Sequence, residues 1–114
     1  MPHPVLIAGQ WRAASSADSS TKTFFAENPA TGERLDAEYP VSAWTDCDAA
    51  LSAAVDAAAV LRRTPPEQIA RFLTRFAERI ESIAQQLAET ANQETALPVA
   101  PRLKDIELPR TTGQ

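Results

Sequence analysis

At 114 residues the chain is one domain's worth at most, and size scaling lets such a chain bury roughly two thirds of its unfolded surface. Its hydrophobic share of 44% is drawn largely from alanine, with 6% aromatic residues, so its helices have thin side chains that need neighbours to cover them. The net charge of −4, with eleven Lys and Arg scattered among fifteen acids, excludes the clustered cationic footprint that nucleic acid or an anionic membrane would require.

The first forty residues read as extended, with strands and loops expected over 5–42. Val5 to Ala8 is a short apolar run, and with Trp11 it brackets the pair Gly9-Gln10 in the manner of a small hairpin. Ser15 to Thr21 is a polar loop. Thr23-Phe24-Phe25-Ala26 is rich in strand formers and stops at Asn28-Pro29-Ala30-Thr31-Gly32, a turn in which proline fixes one dihedral and glycine permits a positive one. Leu35, Ala37, Tyr39 and Val41 then alternate as one face of a strand.

A helix is expected over 45–63. Thr45 is the candidate cap, Asp48 reaches back to it, and Leu51, Ala54, Val55, Ala58 and Leu61 follow at helical spacing. Thr64-Pro65-Pro66-Glu67 is a stronger start, with a capping Thr, a proline in the first turn and a Glu three residues on. It opens a long helix expected over 65–96, with an apolar stripe of Ile69, Phe72, Leu73, Phe76, Ile80, Ile83, Ala84, Leu87 and Ala91. That stripe is the expected core, so Phe76→Asp is expected to collapse it. Pro98 closes the helix, and a further one begins over 101–114 with Leu103 and Ile106 on one face. The elements make an α+β segment: a small N-terminal antiparallel β-layer, then an antiparallel helix pair.

Few residues here suit chemistry. Cys47 is the only cysteine and His3 the only histidine, so no intrachain disulfide or cysteine metal cluster can form. Cys47 sits where a helix start could lower its pKa, but Asp46 and Asp48 flank it and no histidine is near in sequence. It reads as a small packed residue. Asp46, Asp48 and Asp56 read as solvated or capping groups, and Glu94 as a surface acid within reach of Arg102. Trp11 and Trp44 read as packing residues. His3 lies in a Met-Pro-His-Pro start that is expected to fray. Glycines at 9, 32 and 113 alone cannot form a phosphate-cradling loop. No catalytic, cofactor-binding or metal-ligating residue is therefore assigned. The N-terminus lacks a basic region followed by a long apolar run, and no stretch reaches membrane-spanning length, so a reduced cytoplasm is the expected compartment.

A resemblance adds to this reading. Ile7-Ala8-Gly9-Gln10-Trp11, Asn28 to Glu33, Val41-Ser42 with Thr45 to Ala50, Pro65 to Leu73, Phe76 to Ile80 and Glu94-Thr95 before Leu97-Pro98 resemble, in that order, the N-terminal end of the aldehyde dehydrogenase superfamily. Within it, Leu97 to Leu103 and Glu107 to Thr112 are similar to the α-ketoglutarate semialdehyde (2,5-dioxovalerate) dehydrogenases. Ala96 departs from the family's usual glycine, and an alanine there would strain a positive φ.

The resemblance implies part of an α/β dehydrogenase fold that oxidises an aldehyde to a carboxylate with NAD or NADP. The thiolate, oxyanion donor, base and dinucleotide loop of that family lie downstream of the matched segment, so Cys47 takes no catalytic role and the segment alone binds no cofactor. The expected partners are the remainder of the fold or further copies of the subunit. The expectation is thus a truncated dehydrogenase whose segment braces the cofactor-binding domain and is marginally stable alone. The other reading is a stand-alone helical module that docks on a partner or a full-length subunit. A cooperative melt and dispersed amide signals would favour the module.

Overall fold

The structure, a computed structural model, describes residues 1–16 and 22–113. Of the polar loop expected over Ser15 to Thr21, residues 17–21 lie outside the described residues. The chain divides into two compact units. The first holds Met1–Ala26 and Leu35–Thr64, and the second Glu27–Arg34 and Pro65–Gln114.

In the first unit, β1 (Val5–Ile7) and β2 (Gln10–Arg12) pair antiparallel with Ile7 opposite Gln10 and Val5 opposite Arg12. The two-residue link is Ala8-Gly9, with φ of 51° and 78°. Two positive dihedrals in succession match the right-handed twist of a tight hairpin. The turn therefore sits one residue earlier than the Gly9-Gln10 of the sequence reading, and Gln10 already belongs to β2.

A second hairpin joins β3 (Thr23–Asn28) to β4 (Glu33–Pro40), making a separate two-stranded sheet rather than one continuous layer. Its turn is built as the sequence indicates. The Asn28 side-chain oxygen accepts from the Ala30 N–H at 2.9 Å, and the Asn28 carbonyl accepts from the Gly32 N–H at 2.8 Å. Gly32 has φ of 70°, the conformation only glycine adopts without cost. The chain start is anchored here rather than frayed. The His3 N–H donates to the Glu38 carbonyl at 2.8 Å, and its ring stacks on Tyr39 with centroids 5.2 Å apart. Phe24 stacks on Tyr39 as well, at 5.6 Å.

α1 spans Trp44–Leu61. Its N-cap is Ala43 without a side-chain cap bond, so Thr45 lies inside the helix instead of capping it. Thr64 does not cap the next helix either. Its hydroxyl donates backward to the Val60 carbonyl at 3.0 Å, satisfying an orphan acceptor at the end of α1.

In the second unit, α2 (Pro66–Ser82) starts behind Pro65 with no side-chain cap. The long helix expected over 65–96 is broken: α3 (Ala84–Thr95) begins after Ile83, whose φ of −118° and ψ of 21° leave the helical region. The Ser82 hydroxyl donates to the Arg79 carbonyl at 2.7 Å, and the Ile83 N–H turns to the Ile80 carbonyl three residues back. Such local side-chain competition bends or ends a helical ladder. α3 ends at Ala96 with φ of 60°, the left-handed conformation for which glycine is favoured. The two helices expected as an antiparallel pair, α1 and α2, fall one in each unit.

Val99–Glu107 contains the cis Ala100–Pro101 bond and an extended Ala100 (φ −127°, ψ 140°), and its backbone bonds reach five residues back, as from the Leu103 N–H to the Pro98 carbonyl at 3.2 Å. α4 (Leu108–Thr112) completes the segment. The helix expected over 101–114 is thus two pieces of different winding. This terminal segment packs on α3 and α2, and its anchor is Leu103, buried together with Ala88.

Apart from these two residues, the apolar surface stays open. Among the described residues, Ala88 and Leu103 are the only buried hydrophobic side chains, at 6% and 9% exposure. The expected core residues Phe72, Leu73, Phe76 and Leu51 are each more than half exposed, as are Trp11 and Trp44, which were expected to pack. α2 and α3 are amphipathic as the spacing indicates, but their apolar face is uncovered at Phe72, Leu73 and Phe76.

Candidate functional site

Among the described residues, the one buried ionisable group is Asp46, in the first turn of α1 and 2% exposed. Its carboxylate accepts from the Arg12 guanidinium at 2.9 Å and from the Ser15 N–H at 2.7 Å, and the Ala43 N–H donates to the Ser15 carbonyl at 2.9 Å. These bonds clasp the end of the first hairpin to the start of α1. The Ser15 amide holds the Asp46 carboxyl below its ordinary value of 3.8, burial opposes this, and the Ser15 hydroxyl, the Arg12 charge and the Ser42 hydroxyl add to the lowering. Its position in the first turn places negative charge at the positive end of the helix dipole.

The sequence reading took Asp46 as a solvated or capping group, and the structure corrects that. Ser15 and Arg12 lie 31 and 34 residues away, so no local pattern could reveal these two partners. A carboxylate held ionised and filled with donors is a poor proton acceptor, so the cluster is suited to fastening rather than to acid–base work.

Cys47 is exposed, not packed. Arg102, considered as a partner for Glu94, instead reaches Glu107 at 2.6 Å, and Arg110 approaches the same carboxylate at 3.5 Å. Lys104 donates to Gln85 at 3.0 Å, tying the wide turns to α3. Among the described residues, no group of three or more His, Cys, Asp and Glu is placed to hold a metal ion. Among the described residues, no helix is long and apolar enough to cross a membrane.

A groove of about 350 Å³ in the second unit is lined by Ile80, Leu87, Ala91, Leu103 and Leu108, with Glu107 at its margin. Its walls are almost wholly apolar, and Glu107 is already paired with Arg102 and Arg110. A dinucleotide needs backbone amides at a glycine-rich strand-to-helix turn. Gly9 and Gly32 both sit in β-hairpin turns, with open space around them. Neither therefore forms such a strand-to-helix turn.

The aldehyde dehydrogenase family profile matches residues 16–112. The chain is 39% identical over 99 residues to phenylacetaldehyde dehydrogenase of Pseudomonas fluorescens, covering 81% of this chain and 18% of that protein. It is 38% identical over 102 residues to α-ketoglutaric semialdehyde dehydrogenase 2 of Azospirillum brasilense, covering 89% and 19%. Malonate-semialdehyde dehydrogenase 2 of Geobacillus thermodenitrificans is 36% identical over 88 residues, covering 77% and 17%. The chain thus spans less than a fifth of the length of these relatives. No solved structure matches it.

Proposed function

Because the chain belongs to the aldehyde dehydrogenase family, we propose that it is the N-terminal structural part of an NAD(P)-dependent aldehyde dehydrogenase, bracing the cofactor-binding domain while other parts of the enzyme carry the chemistry. The observation that carries this reading is the open apolar face of α2 and α3. Phe72, Leu73, Phe76 and Leu87 line up at helical spacing yet remain 41–65% exposed. A face of this kind is stable in water only when another surface covers it. The same openness disfavours the stand-alone module, which would bury its stripe within itself.

For the substrate, the stretches Leu97 to Leu103 and Glu107 to Thr112 favour 2,5-dioxovalerate, oxidised to the dicarboxylate. Identity to the three relatives differs by only three percentage points, from 36% to 39%, although each is named for a different aldehyde. Overall identity in this segment is therefore silent on the substrate. Further copies of the subunit are the proposed partners, and a reduced cytoplasm suits the exposed thiol of Cys47.

Complementation tests the proposal. The Azospirillum relative is expressed without the residues that match this chain and assayed for NAD(P)H formation from α-ketoglutaric semialdehyde, with and without this chain added in trans. Activity that returns only in the mixture supports the structural role. Turnover by this chain alone, or no binding between the two pieces, overturns it.

A further inference from the structure

We draw no further inference here: the strongest candidate, the apolar groove between α3 and the terminal helical turns lined by Ile80, Leu87, Ala91, Leu103 and Leu108, is an unpartnered apolar face, and nothing in the structure shows what covers it.

Discussion

Ala96 carries strain that a single methyl group creates. Its φ of 60° places Cβ against the following carbonyl, a cost of about 1 kcal/mol for residues other than glycine. The cap around it is otherwise well made. The Ala96 N–H donates to the Asn92 carbonyl at 2.8 Å, and the Asn92 side chain donates to the Leu97 carbonyl at 2.8 Å. Ala96→Gly should therefore raise stability by about 0.5 kcal/mol, the relieved strain exceeding the greater freedom glycine gives the unfolded chain. A denaturant midpoint that falls in this variant would contradict the assignment. Asp46 acts in the opposite sense. Its carboxyl is lowered in the folded state, so between the folded value and 3.8 the unfolded chain binds more protons. The stability contributed by Asp46 is complete above the ordinary carboxylate range and disappears as pH falls through the lowered value. Asp46→Asn should abolish this acid-dependent component, read from Trp11 fluorescence as the hairpin detaches from α1. An acid transition of unchanged position and size in Asp46→Asn would show that other carboxylates control it.

At the scale of elements, Leu103 joins the terminal segment to α3. Leu103→Ala should cost about 2 kcal/mol, the low end for a buried leucine because the surrounding groove is already open. Amide exchange in Leu108–Thr112 should accelerate while Gln10–Arg12 keeps its protection, and uniform acceleration would refute local detachment. Local chemistry decides which elements were legible in the sequence. The Asn28–Gly32 turn was readable because it depends on residues within four positions, whereas a positive φ at Ala96 was indicated only by the family's usual glycine there. The break at Ile83 was hidden because the apolar stripe continues on both sides of it, at Ile80, Ala84 and Leu87, and periodicity does not register a hydroxyl capturing one carbonyl. The wide turns from Val99 were hidden similarly, since Leu103 and Ile106 fit an ordinary helical spacing.

Across the whole molecule, amphipathic patterning established which faces are apolar but not whether anything covers them. Phe76 illustrates the difference. It lies in the expected core stripe and stacks on Phe72 with centroids 6.2 Å apart, yet it is 58% exposed. Phe76→Asp in this chain alone should then change stability by no more than about 0.5 kcal/mol, in place of the collapse that a buried position would give. The double variant Phe72→Ser, Phe76→Ser should preserve ellipticity at 222 nm and reduce binding of a hydrophobic dye. Loss of helix in the double variant would mean that the stacked pair supports the fold itself. Asp46 shows the same limit of local reading, because its clasp is a property of the folded unit and not of any window of sequence.

The clasp between Arg12, Ser15 and Asp46 also has a bearing on how the chain is made. Ribosomes release the N-terminus first, so the β1–β2 hairpin emerges while Asp46 is still unsynthesised and its fastening cannot yet close. The first unit contains nothing beyond Thr64. Once Thr64 has left the exit tunnel, every group that holds this unit is present, and it can settle before α2 exposes its phenylalanines.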